Sequence, residues 1–341
     1  MKYNLFKNKS WILPIALLGS LISNAQQIDI EKAPAPLYRD PVYDGVADPS
    51  IIWDDSGKQW IMYYTSRRAN KTGLKGVEYC YGTTIGIATS KDNGVIWQYE
   101  GVANLPQPDK GLNTFWAPQV VYDTLKGVYH MFVTYIKGVY TDWGGERQIF
   151  RYTSKDKINW QFAEKIATTG CIDAMVFQIK NGYWKMWYKD EKRNSRIYTA
   201  ISEDLTDWQL TDTEEAAGNS HEGPVVFSFK DQYWMLTDMW NGLDVYTSND
   251  ASNWEYNNTI LTLKEPGRRP DDNVMGRHAD VIVLKNKAYV IYFTHPGRIY
   301  KNEKEKSEST YRYRRSSLQI AELEVKEGKL NCNRDKYYLG L

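Results

Sequence analysis

A short phrase, Ser-x-Asp with a Trp a few residues later, recurs four times in this chain, and no other feature narrows the possible folds as far. The copies are Ser90-Lys91-Asp92 with Trp97, Ser154-Lys155-Asp156 with Trp160, Ser202-Glu203-Asp204 with Trp208, and Ser248-Asn249-Asp250 with Trp254. Each follows an apolar, strand-like segment, at 85–89, 149–153, 197–201 and 243–247. Ser and Asp side chains bond to nearby backbone amides. The phrase therefore reads as a strand, a tight turn and a Trp that returns to the core.

A second phrase runs alongside it: a polar or small residue, a short apolar strand, a turn and an aromatic strand. Its five versions begin Asp48-Pro49-Ser50-Ile51-Ile52-Trp53, Ala117-Pro118-Gln119-Val120-Val121-Tyr122, Asp173-Ala174-Met175-Val176-Phe177, Glu222-Gly223-Pro224-Val225-Val226-Phe227 and His278-Ala279-Asp280-Val281-Ile282-Val283. The partner strands fall at 60–65, 129–135, 183–188, 233–238 and 288–294, and no stretch sustains a helical period. Five units of roughly 45–70 residues, each with about four short strands, predict an all-β fold. The architecture expected is a five-bladed β-propeller, with four-stranded antiparallel blades around a central channel. A β-sandwich with hairpins alike by accident would not order five copies this way. The 26 Tyr and 13 Trp agree, since aromatic rings suit pleated surfaces and also stack on sugar faces. The fifth unit lacks the Ser-x-Asp phrase, so residues 26–47 or the C-terminal segment are expected to complete a blade.

Residues 1–25 read as a signal peptide. Lys2, Lys7 and Lys9 precede an apolar run at 11–22, then Ser23-Asn24-Ala25. The run is short for a bilayer span, and no Cys stands at the cleavage point for lipid attachment. The expectation is an exported chain, periplasmic or secreted, whose mature part 26–341 is one domain without a membrane span. Lys plus Arg is 43 against 42 for Asp plus Glu, a balance that argues against a nucleic-acid partner. Three cysteines, Cys80, Cys171 and Cys332, are too few and too oddly spaced for a disulfide framework or a zinc site.

In a propeller the first strand of every blade lines the channel, so matching positions meet at one end of it. Asp48, Asp173, Glu222 and His278 lie at or beside the matching position, where a core-facing residue is ordinarily apolar. Carboxylates brought together push one another's pKa apart, which separates a general acid from a general base. The long polar loops 67–81, 140–147, 264–275 and 298–315 are expected to shape the pocket.

Ala47-Asp48-Pro49-Ser50, Trp116-Ala117-Pro118-Gln119, Ile172-Asp173-Ala174, Glu222-Gly223-Pro224 and Gly276-Arg277-His278 together resemble the motif series of glycoside hydrolase family 43. The resemblance spans nearly the whole mature chain. It implies an inverting, exo-acting glycosidase of the α-L-arabinofuranosidase or β-D-xylosidase type, acting on oligosaccharide or polysaccharide fragments. It makes Asp48 the general base, Glu222 the general acid and Asp173 the residue that holds Glu222 protonated and orients substrate. His278 resembles a channel histidine that contacts a calcium ion or its waters, and no organic cofactor is implied. Inversion needs two carboxyl groups about 6.5–9.5 Å apart, a span that residues from different blades can meet. Trp116 and Phe115 are expected to wall the sugar, with Arg277 and Gln119 offering polar contacts.

Two departures keep alternatives open. His221 precedes the candidate acid, and a His-Glu pair resembles the related anhydro-galactosidase family of agar breakdown, with His221 then the rival proton donor. Gln119 stands where many family members have Asp. A non-catalytic carbohydrate-binding propeller, or a lyase or phosphorylase on the same scaffold, are the other readings.

Overall fold

The computed structural model describes residues 26–216, 220–301 and 304–338. The expected signal peptide therefore lies outside the described residues. Five four-stranded antiparallel sheets follow one another along the chain, each built from consecutive strands, apart from a short hairpin (Ile299–Lys301 with Lys304–Lys306) inserted in the last. They form the five blades of a propeller. Val46–Asp54, Thr114–Asp123, Cys171–Gln178, Glu222–Phe229 and Arg277–Leu284 are the inner strands, each touching the next and the last touching the first. Among the described residues no helix is long and apolar enough to cross a membrane.

The Ser-x-Asp phrase makes the turn between the third and fourth strands, and its Trp binds neighbouring blades together. Trp160, Trp208 and Trp254 pack edge-on against Tyr63, Phe132 and Trp187, each on the second strand of the preceding blade, with centroids 5.5–6.3 Å apart. Those three partners occupy one register position, opposite Ser50, Gln119 and Met175. Such aromatic pairs contribute about 0.5–1.5 kcal/mol each beyond the area they bury. Trp97 does the same work across the closing seam, in a cluster with Ile291, Phe293 and Leu318 of blade 5.

Closure of the ring needs no exchange of strands between the ends of the chain. The C-terminal strands Ser317–Lys326 and Lys329–Cys332 complete blade 5. The N-terminal segment clamps the seam from outside, where Leu37 N donates to Leu318 O and Leu318 N to Tyr38 O. Inside, Ile51 N donates to Asp280 Oδ2 at 2.6 Å, joining blade 1 to blade 5.

Every inner strand carries a register shift at its N-terminal end. In four blades the residue there has a left-handed backbone: Asp48 (φ 50°), Ala117 (φ 47°), Asp173 (φ 58°) and Gly223 (φ 56°). A bulge turns a side chain away from the ordinary pleat, and such strain is tolerated where the surroundings hold it. The bulges aim Asp48 and Asp173 into the channel mouth.

Candidate active site

A cavity of about 550 Å³ opens at that end of the channel. Asp48, Asp173 and Glu222 all line it, from blades 1, 3 and 4, as do Arg277 and His278 from blade 5 and Trp116 from blade 2. The acids so far apart in sequence are neighbours here.

Asp48 is buried, and one guanidinium nitrogen of Arg67 lies 3.2 Å from each of its oxygens. His278 Nδ1 stands 3.6 Å from Asp48 Oδ1. Asp173 is fixed at both ends. Its own amide donates to Thr134 Oγ1 at 3.1 Å, and its Oδ2 accepts the Gly223 amide at 3.0 Å. Burial pushes the Asp173 carboxyl up to about 7, with the nearby Glu222 and Asp48 charges adding to it and His278 and Lys189 opposing. Glu222 accepts two hydrogen bonds, from Lys189 Nζ to Oε2 at 3.0 Å and from Trp240 Nε1 to Oε1 at 2.9 Å. Gly223 has no room for a side chain, since a Cβ there would stand 2.6 Å from Cγ of His278.

The donor set around His278 does not suit calcium, which takes about 6–8 oxygen ligands. Its Nδ1 faces Asp48, and the adjacent carboxylate, Asp280, accepts from the amides of Ile51 and Val281. Among the described residues no cluster of three or more His, Cys, Asp or Glu side chains has a metal-site arrangement.

The family model described as "Probable glycosyl hydrolase domain", of the family-43-related type, matches residues 35–290, most of the chain. The chain belongs to the family-43-related glycoside hydrolases. It is an enzyme of glycosidic bond hydrolysis. Solved structures share the fold. A thermostable family-43 glycoside hydrolase has a TM-score of 0.59 and 16% identity over 87% of this chain and 96% of that one. A family-43 β-1,3-galactosidase bound to galactodeoxynojirimycin has a TM-score of 0.62 and 14% identity over 86% and 96%. A family-43 enzyme from Xanthomonas citri bound to xylotriose has a TM-score of 0.60 and 14% identity over 84% and 90%. No curated protein matches the chain in sequence.

Three expected contacts of this family-43 hydrolase are placed elsewhere. Phe115 faces away from the cavity, into a core cluster with Tyr135 and Tyr152. Alternation along the strand decides this, because its neighbour Trp116 takes the cavity side. Gln119 lies past the bulge and does not line the cavity. His221 is fully buried beneath the site, its Nδ1 3.1 Å from Thr237 Oγ1 and its ring edge-on to Tyr246. Burial, with Arg196 and Lys189 nearby, lowers its pKa to about 4, so it is neutral near pH 7 and out of reach as a proton donor. Asp173 carries the raised pKa, and the ammonium of Lys189 touches Glu222.

Other lining residues were not anticipated. Arg67, Cys80, Trp143, Arg147, Arg298, Tyr300 and Glu305 come from three of the four long loops and their edges, and Lys189, Glu191 and Trp240 from the second-strand ends of blades 3 and 4. The fourth loop, 264–275, is structural. It buries Asp272 against Arg334 and sends Arg269 to the carbonyl of Ile320.

Proposed function

We propose that this hydrolase releases single sugars from chain ends of polysaccharide fragments, with inversion at the anomeric carbon. The observation that carries the reading is that the carboxyl groups of Asp48, Asp173 and Glu222 line one cavity of about 550 Å³. A volume of that order falls within the ordinary range of small-molecule pockets, about 300–1,000 Å³, and fits a terminal unit better than a long chain. Trp143 and Trp240, both partly exposed, line the cavity and offer ring surface to the adjoining sugar.

In this mechanism Asp48, held by Arg67, takes a proton from water as the water oxygen bonds to the anomeric carbon. Glu222 enters the step protonated and gives that proton to the departing glycosidic oxygen as its bond to carbon breaks. Asp173, anchored on the Gly223 amide, orients the sugar between them. The likeness to xylose- and galactose-directed neighbours supports a pentosidase of the xylosidase or arabinofuranosidase type, or a galactosidase. Residues 1–25 support export to the periplasm or beyond.

A panel of aryl xylosides, arabinofuranosides and galactosides, with the first-formed anomer followed by NMR, tests this. Inverted product, with Asp48→Asn and Glu222→Gln each losing roughly 10²–10⁴-fold in kcat/KM, is expected. Retained configuration, or full activity in either variant, would overturn it.

A further inference from the structure

The second strands of the five blades place Thr65, Thr134, Lys189, Asp238 and Phe293 at one register position, opposite Ala47, Trp116, Ile172, Glu222 and Arg277. Three of these side chains do one structural job. Thr65 accepts the amide of Ala117 at 2.8 Å, Thr134 that of Asp173 at 3.1 Å, and Asp238 that of His278 at 3.1 Å, each stitching its blade to the next. Lys189 cannot do this, because an ammonium has no acceptor. The amide left over in the next blade, that of Gly223, turns to Asp173 Oδ2 instead.

A lysine here is costly by structural criteria. It is 5% exposed, and a buried ammonium loses several kcal/mol of hydration unless it is paired. Its partners are all at the site: Glu222 Oε2 at 3.0 Å, Glu191 Oε1 at 3.6 Å and the Trp240 ring at 5.4 Å. A threonine, as in blades 1 and 2, would have kept the stitch and avoided that cost. The exchange puts a fixed positive charge against one carboxyl oxygen of Glu222.

We propose that Lys189 is a positioning residue of the hydrolytic step, stabilising the negative charge that appears on Glu222 as it gives its proton to the leaving oxygen. The inference rests on Glu222 being the proton donor. Glu222 starts neutral, its proton passes to the glycosidic oxygen as the carbon–oxygen bond breaks, and the carboxylate that remains lies 3.0 Å from Nζ. Lys189 keeps its own protons throughout. A preorganised charge of this kind lowers a barrier in proportion to the charge that develops beside it. Its effect therefore depends on how much the leaving group needs a proton.

The test compares two substrates of the sugar released fastest, an unactivated disaccharide and the 2,4-dinitrophenyl glycoside, whose phenolate departs without protonation. Lys189→Met is expected to lose roughly 10²-fold in kcat/KM on the disaccharide, mostly in kcat, and less than about threefold on the dinitrophenyl glycoside. Lys189→Arg, which keeps the charge, is expected to lose less on the disaccharide and equally little on the aryl substrate. Lys189→Gln, uncharged like the Met variant, is expected to show the same leaving-group dependence and decides the matter if the Met variant does not fold. Equal losses on both substrates, or none on either, overturn the proposal. Glu222→Gln serves as the reference. If it shows no leaving-group dependence, the assignment of the acid fails; if it shows one and the Lys189 variants do not, the inference about Lys189 alone fails.

Discussion

Arg67 holds one guanidinium nitrogen 3.2 Å from both oxygens of Asp48, with its Cζ 4.9 Å from the Phe293 ring centroid. The candidate base is thus tied to a cation from its own blade, which rests on a ring of blade 5. An arginine in this setting fixes a carboxylate's direction through charge-assisted hydrogen bonds.

Removing that cation leaves a buried carboxylate facing His278 Nδ1 at 3.6 Å. Arg67→Met is expected to lower stability by about 3 kcal/mol and kcat/KM by roughly 10–100-fold. Denaturant melts and steady-state kinetics check the two effects. A variant with normal activity would show that Asp48 needs no such partner.

Asp173 links the site to pH. Its folded-state pKa is pushed up to about 7, chiefly by burial, from an ordinary 3.8. Between about pH 4 and pH 7 the folded chain therefore holds a proton that the unfolded chain has released. Stability falls as pH rises through that window and levels off above it. Asp173→Asn keeps an acceptor for the Gly223 amide and removes the titration. Relative to the parent it is expected to gain on the order of 1–3 kcal/mol between pH 4.5 and pH 8, while activity falls roughly 10²-fold. Asp272 and Asp280, both raised to about 6 by burial, slope the same way in both proteins. The difference between variant and parent thus isolates position 173. A difference that is flat with pH would refute the assignment.

The sequence made the ring and its three acids legible for one reason. Repetition converts distance along the chain into equivalence in space, so Asp48 and Asp173 could be matched without coordinates. The misplacement of Phe115 follows from ordinary strand alternation beside Trp116, whereas Gln119 and His221 each sit within two residues of a bulge, which reverses which side chains face the channel. The second-strand residues were not legible in the sequence. Aligning Thr65, Thr134, Lys189 and Asp238 needs the strand register, and a second lysine, Lys185, in the same strand Trp184–Asp190 leaves Lys189 unmarked in the sequence. Trp143, Arg298 and Tyr300 come from irregular loops, where no periodicity says which way a side chain points.

Trp143 is 59% exposed at the cavity mouth, edge-on to Trp116. Little of the fold depends on it, so Trp143→Ala is expected to change stability by less than about 0.5 kcal/mol. Loss of a stacking face is expected to raise KM for oligosaccharides about fivefold, with kcat kept, since about 1 kcal/mol of uniform binding disappears. Kinetics on substrates of increasing length check this. An unchanged KM would remove Trp143 from the substrate path.

The repeated turns set the response to acid. Asp156 accepts from the amides of Ile158 and Asn159 at 3.0 and 2.7 Å and from the Asn159 side chain at 2.9 Å, just before the blade-joining Trp160. The Asn159 side chain, together with those amides, lowers its pKa to about 2 from 3.8. A depressed carboxyl contributes stability above its unfolded pKa, near 4, and loses it as pH falls through the folded value near 2. Asp156→Ala is therefore expected to cost about 1 kcal/mol at pH 7, a modest figure because the group is solvent-exposed. The gap to the parent should close as the pH is lowered from 4 to 2. Asp204 and Asp250, also held below the usual carboxylate range by bonds within their own turns, are expected to behave alike. Urea melts of the three alanine variants at pH 7 and pH 3 measure this. A gap that stays constant with pH would mean the turns hold their shape without the ionised carboxylates.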